Sequence, residues 1–292
     1  MSEVTASMVK TLREMTDAGM MECKKALVET KGDMELAVDY LRKNGQAKAA
    51  KRAGKIAAEG AIVVAVSADK MRACMVEVNC ETDFVARDEN FKSFADQLAQ
   101  VGLSINTDDV ATLMSHTVEG KTVEAVRETL VAKIGENVQA RRMVTLSASG
   151  CVGFYLHGDR IGVLVAIDKN NPELAKDIAM HVAATNPAAI DSNSLSPDVI
   201  AKERSIVAAQ AETSGKPANI IEKMVEGRLQ KFVQEVCLVY QPFVKNPDQK
   251  VQDLLKAAGA TVLSFVRFEV GEGVEKPVTD FAAEVSETLK GI

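Results

Sequence analysis

Two stretches of the chain, 60–101 and 150–185, run through the same order of strand, turn, strand and helix. In the first, apolar alternation over 61–66 and 73–78 flanks a turn at 67–72, and a helix is predicted over 88–101. In the second, strands at 151–156 and 161–167 flank His157-Gly158-Asp159-Arg160, and the helix covers 172–185. Period-two alternation gives each hairpin an apolar face that must be covered, and the helix that follows is the nearest cover. The chain is therefore expected to be α+β, with a duplicated α/β core in which each unit buries a hairpin under a helix. Identity between the copies is low, so the repeat is one of pattern.

Helical modules flank and interrupt this core. Residues 4–43 read as three short helices: Met8, Val9 and Leu12 mark the first, Ala26 and Leu27 the second, and Met34, Ala37, Val38 and Leu41 the third. Thr16-Asp17-Ala18-Gly19 and Gly32-Asp33 break them. A module this small has a marginal core and is expected to work by docking. Its Met20-Met21 pair, just before Lys24 and Lys25, supplies either adaptable contacts or core filling. Further on, Ser196-Pro197-Asp198 starts a helix bearing Val199, Ile200, Ile206 and Val207. Ser214-Gly215-Lys216-Pro217 turns the chain into a return helix bearing Ile221, Met224, Val225 and Phe232. This antiparallel hairpin, inserted like an arm, closes on itself or pairs with a second subunit; closure is the simpler expectation. The tail offers strands at 236–240 and 262–268 around a helix at 250–258, with a last helix from about Asp280. The expected divisions are 1–54 (three helices and a basic linker helix), 55–140 and 141–186 (core), 187–234 (arm), 235–268 (core) and 269–292 (C-terminal helix).

Charge and residue usage exclude several function classes. The net charge is −6, but residues 1–55 hold eleven Lys/Arg against eight Asp/Glu, so the acidity lies in the rest. An acidic body argues against nucleic acid as the principal partner. The basic stretch 43–55, with Lys48, Lys51 and Arg52, has no aromatic residue for base stacking and reads as a solvated helix; RNA or ribosome contact is the alternative. Cys23, Cys74, Cys80, Cys151 and Cys237 are odd in number and scattered without a CxxC pair, which suits a reduced cytoplasm and neither zinc nor a disulfide framework. No apolar run reaches bilayer length, and no signal-peptide core opens the chain. His116, His157 and His181 have no nucleophile nearby in sequence, and no phosphate loop, dinucleotide fingerprint or HExxH occurs. His181 reads as a packing residue and His157 as an exposed turn residue. Glu35 and Asp39 read as a solvated helix face. Neither an enzyme nor a bound cofactor or metal is expected.

The segment Asn79-Cys80-Glu81-Thr82-Asp83-Phe84-Val85-Ala86-Arg87 links the first hairpin to its helix. Phe91, Phe94, Ala95 and Leu98 form that helix's apolar stripe, with Asp88 as its cap, and Phe84 falls outside the stripe. Two readings are open. Thr-Asp before a helix is ordinary capping and the ring a staple, as in the second copy Thr279-Asp280-Phe281, where Phe281, Val285 and Leu289 recur at helical spacing. Alternatively, a ring displayed on a loop probes another molecule's pocket. The pattern alone favours the staple.

Eight ordered blocks add to this reading. They are Leu12 to Lys25, Gly32-Asp33, Glu77 to Arg87, Lys133-Ile134-Gly135-Glu136-Asn137, His157 to Leu164, Met224-Val225-Glu226-Gly227-Arg228, Gln241-Pro242-Phe243-Val244 and Arg267 to Gly273. In this order and spacing the chain resembles bacterial elongation factor Ts over nearly its whole length. The resemblance implies a UBA-like N-terminal module and nucleotide exchange on the GTPase elongation factor Tu, with loss of its Mg2+ and GDP. It also implies that Thr82, Asp83, Phe84 and Val85 dislodge the partner's magnesium, with Phe84 as the intruding ring and Asp83 orienting the loop. Met20, Met21 and Lys24 would face the GTPase domain, Ile134 and Gly135 would form a second contact, and His157 and Val244 would grip another partner domain. The arm is a feature of bacterial-type members, and the sequence leaves open whether it touches tRNA or a second subunit in a higher-order complex. A binding adaptor or chaperone using the helical module is the competing class; it gives Phe84 no duty.

Overall fold

The computed structural model describes residues 4–16, 18–212 and 217–275. The expected final helix and the Thr279-Asp280-Phe281 copy lie outside the described residues, as does most of the arm's turn.

Helices α1 (Ala6–Thr16), α2 (Met20–Glu29) and α3 (Met34–Arg52) open the chain. They meet on Val9, Leu12, Cys23, Ala26, Leu27 and Ala37. Asp33 caps α3 by accepting from the Leu36 amide. The third helix does not stop near residue 43 but continues through the basic stretch to Arg52. Its Ala, Lys and Gln residues are good helix formers, and the small Gly45 and Ala49 are buried. Gly45 lies close to Ala132, so the basic helix is solvated on one side only.

The first unit is β1 (Glu59–Val66), β2 (Arg72–Cys80), α4 (Asp83–Ala86), α5 (Glu89–Ile105), α6 (Val110–Ser115), the small ladder β3 (Thr117–Val118) and β4 (Lys121–Thr122), α7 (Val123–Ile134) and β5 (Val138–Ser147). Its antiparallel sheet has the order β1-β2-β5. The strand β5 carries adjacent Arg141 and Arg142 and is not anticipated by alternation. The register explains it: Glu77 pairs with Arg142 and Val78 with Ala140, so Arg141 is an extra, bulged residue. The bulge lets both guanidiniums reach the fully buried Glu77. Strand β5 runs across residue 140, where a division is expected.

The second unit repeats this connectivity. It comprises β6 (Cys151–His157), β7 (Ile161–Ile167), α8 (Pro172–Thr185), the arm helices α9 (Pro197–Glu212) and α10 (Ala218–Val236), β8 (Pro242–Phe243), β9 (Asn246–Lys250), α11 (Val251–Ala257) and β10 (Val262–Glu269). Here the order is β10-β7-β6, again with the hairpin's second strand in the centre. The strand expected at 236–240 is not formed. Helix α10 runs to Val236, and Leu238–Tyr240 is a single 3-10 turn whose Leu238 and Val239 amides donate to the Ala189 and Ile190 carbonyls. The division expected after residue 234 thus falls inside α10. In the arm, Val207 and Ala211 pack against Val225 and Leu229, so the hairpin closes on itself, while Val199 and Ile206 remain exposed.

Both faces of each sheet are covered. On β1, Ala61 and Ala65 face α5, with Phe91, Phe94, Ala95 and Leu98. Ile62 belongs instead to a seam with Ala73, Met75, Val152, Leu164, Ala166 and Phe268. On the far side Val163, Val165 and Ile167 pack on Ile178 and Val182 of α8. The layers are helix, sheet, sheet, helix, an α+β architecture with small antiparallel sheets. At the seam Gly162 has no room for a side chain: a Cβ there would lie 2.4 Å from Ile62 and 2.8 Å from Met75.

Candidate partner-binding surface

The connection after β2 is built to show a ring. Thr82 caps α4, its hydroxyl accepting from the Val85 amide at 3.4 Å. Ala86 is buried and Val85 packs against the first unit's core. These two anchor the single turn, and Phe84 is left 80 % exposed. Asp83 pairs with Arg87 at 2.9 Å, four residues on. Asp88, not Thr82, caps α5 by accepting from the Asn90 and Phe91 amides. The staple reading of Phe84 therefore does not hold, because Val85 and Ala86 supply the packing. A Phe kept in water forgoes about 1.5–3 kcal/mol of burial.

A residue that sequence reasoning did not single out holds this turn. Glu136 accepts from the Glu81 amide at 3.2 Å, the Thr82 amide at 3.0 Å and the Thr82 hydroxyl at 2.7 Å. In return the Glu81 carboxylate accepts from the Asn137 amide at 2.7 Å and pairs with Arg52 at 3.2 Å. The Asn137 side chain donates to the Lys55 carbonyl at 2.8 Å. Ile134 ends α7 and Gly135 closes it in the left-handed region, φ 84°, so this pair lies directly beside the Phe84 turn. An acid just past a helix C-terminus is disfavoured by the helix dipole. That oddity in Gly135-Glu136-Asn137 is the signal that could have found it.

In the N-terminal module, Met20 is 60 % and Met21 73 % exposed, and Lys24 is exposed one turn later. The core-filling reading of the methionines is set aside, since Cys23, Ala26 and Leu27 take that face. The module reaches the Phe84 turn through α3, whose last residue, Arg52, pairs with Glu81.

The remaining two sites sit on the second unit. His157 is exposed at the β6–β7 turn, with Nδ1 3.4 Å from the Tyr155 hydroxyl. Val244 is 43 % exposed between β8 and β9, and its amide donates to Nδ1 of His181 at 3.2 Å. His181 Nε2 meets Gln241 Oε1 at 2.9 Å, and the Gln241 amide nitrogen donates to the Glu235 carbonyl at 2.6 Å. Because Nδ1 accepts, the proton sits on Nε2. The expected packing histidine thus also fixes the loop that carries Val244.

Burial pushes the His181 pKa down from its ordinary value, the bond to Gln241 opposing it only in part. The unfolded chain then binds the proton first as pH falls. Stability from this site is complete above about pH 6.5 and is lost on acidification through that value toward the lower folded one. Urea midpoints are expected to fall between pH 7.5 and 5.5, and His181→Asn to flatten that slope; an unchanged slope would show that His181 is not the responsible group.

Among the described residues no cluster of His, Cys, Asp and Glu could hold a metal, and no helix is long and apolar enough to cross a membrane. All five cysteines are buried and unpaired, and burial pushes Cys80 up to about 12 and Cys74 to about 11, so neither offers a thiolate. What is exposed instead is a ring, a thioether pair, a left-handed glycine corner and two loops on the second unit.

Residues 81–272 match the family model described as Elongation factor TS. The chain is 58% identical over 290 residues to "Elongation factor Ts" of Thioalkalivibrio sulfidiphilus, covering 99% of each. It is 56% identical over 294 aligned positions to that of Coxiella burnetii (100% and 99% covered), and 55% over 285 to that of Alcanivorax borkumensis (97% and 100%). With a family model spanning most of its length and relatives of this identity matched end to end, the chain belongs to the elongation factor Ts family.

Proposed function

We propose that Phe84 is the wedge by which this chain loosens magnesium and nucleotide from its partner. As a member of its family the chain is a cytoplasmic nucleotide-exchange factor for elongation factor Tu, and it breaks no covalent bond. The carrying observation is an exposed ring on a one-turn helix whose neighbours are anchored.

Exchange needs the factor to bind the empty GTPase more tightly than the GDP-loaded one, and coupling is reciprocal: GDP weakens the factor's grip by the same ratio. Magnesium bridges the phosphates within a strict octahedral shell, so a small displacement of the elements around it releases both. Thr82 and Val85 hold the turn, Phe84 enters the partner, and Asp83 orients the turn through Arg87. Met20, Met21 and Lys24 dock on the GTPase domain beside Ile134 and Gly135, while His157 and Val244 engage a second domain. Burying one ring contributes about 1.5–3 kcal/mol, so the other patches must supply the rest.

The organisation that goes with this reading is a UBA-like module at 1–54, a duplicated core at 55–147 and 148–186 completed by 237–270, and the arm at 187–236. Stopped-flow release of a fluorescent GDP analogue from elongation factor Tu tests it. Wild-type protein is expected to accelerate release at least a hundredfold, the scale of a coupling near 3 kcal/mol. No acceleration would leave the adaptor class standing instead.

A further inference from the structure

The turn that presents Phe84 cannot hold its own shape. Helix α4 is four residues long, far below what a helix needs to persist alone. Strand β2 ends at Cys80, paired with Glu59 on one side and Val138 on the other, and the ladder offers the next two amides nothing. Those amides, of Glu81 and Thr82, are the ones that Glu136 takes, together with the Thr82 hydroxyl. Bonds to a carboxylate are roughly twice as strong as neutral ones. The exchange is mutual, since Glu81 takes the amide of Asn137. Helix α7 gives no reason for an acid at this point, because its dipole opposes one.

We propose that Glu136 is a positioning residue for exchange: its carboxylate sets the Thr82 turn in the shape that presents Phe84 and locks it to the Ile134-Gly135 corner. The inference rests on the wedge reading of Phe84. It makes the insertion step depend on a side chain that itself points at the turn, not at the partner. The ring then arrives already oriented, with little ordering left to pay for on docking.

A double-mutant cycle tests it, using the full chain and stopped-flow release of a fluorescent GDP analogue from elongation factor Tu at saturating factor. The variants are Phe84→Ala, Glu136→Ala, Glu136→Gln and Phe84→Ala with Glu136→Ala, each checked by thermal melting. Glu136→Ala is expected to slow release about tenfold, as loss of charge-assisted bonds allows. Glu136→Gln is expected to recover most of the rate, because an amide oxygen still accepts from both N–H groups. With Phe84 already removed, Glu136→Ala is expected to cost less than about twofold more. A normal rate for Glu136→Ala beside a slow Phe84→Ala overturns this inference alone. So does a full tenfold loss that persists without Phe84. A normal rate for Phe84→Ala overturns the wedge reading and this inference with it. Should Glu136→Ala fail to fold, Glu136→Asp, which keeps the charge but draws the carboxylate one methylene back from its three donors, takes its place in the cycle, and a slow or normal rate carries the same meaning there.

Discussion

Phe84→Ala is expected to keep the melting temperature of the wild type and to slow partner nucleotide release by roughly 10- to 150-fold. The two halves of that result have one cause. The ring is 80 % exposed, so removing it opens no cavity and changes stability by no more than about 0.5 kcal/mol. On the wedge proposal the ring leaves water only in the complex, where its burial of about 1.5–3 kcal/mol would favour the displaced-magnesium state. Saturating factor separates the effects, because weaker docking is overcome by concentration and a missing wedge is not. Phe84→Leu should fall between, since it keeps apolar area but not the ring's reach. A Phe84→Ala protein that drives release at the wild-type rate would show that the ring is not inserted.

The largest stability loss is expected at Glu77. Its carboxylate is fully buried on the central strand β2 and pairs with Arg141 at 3.0 Å and with Arg142. It also accepts from the Gly271 amide at 2.9 Å and the Asn79 side chain at 3.1 Å. Arg142 lies over the Phe268 ring at 4.2 Å and reaches the Glu269 carbonyl, so one acid organises β5, β10 and the turn after it. Glu77→Ala leaves two guanidiniums without their counter-charge and should cost about 3–5 kcal/mol, read from urea unfolding at pH 7. Burial alone pushes this carboxyl up, but the Gly271 amide and Arg142 outweigh it and hold the pKa below its ordinary value. A depressed carboxylate stabilises above the unfolded value, near 4.3, and that contribution is lost as pH falls below it. The acid limb from Glu77 therefore begins about two pH units below the onset of the His181 limb. A loss under about 1 kcal/mol would show that the arginines find water or other partners.

Period-two alternation and caps carried much of the fold. The hairpins, α5 under Asp88, α8, and the arm starting at Pro197 stand close to where the residues put them. What the pattern hid is long-range. Strand β5 is masked by two arginines whose buried partner lies more than sixty positions away in sequence. The 236–240 run has strand-like residues, but its backbone is committed to α10 and a tight turn against Ala189 and Ile190. That each sheet hides its second face against the other follows from Gly162 and Met75, which local pattern does not connect. At the site the exposed residues were legible as family blocks. Phe84 on pattern alone was not, because a staple and a wedge share the same tripeptide. The role of Glu136 was harder to read, since two of its three donors are backbone amides, and only its odd place past a helix C-terminus marks it.

The unbroken run of α3 from Met34 to Arg52 makes the N-terminal module's bearing a matter of helical phase. Nineteen residues span about 28 Å, with the methionine pair's module at one end and the Glu81 pairing at the other. Each residue added or removed between them would swing the docking face by about 100° and lift Gly45 and Ala49 off α7. Substitutions on the solvated side leave that angle untouched. The stretch can therefore drift in composition while its length is fixed, or changes only by steps near a whole turn, like the teeth of a gear.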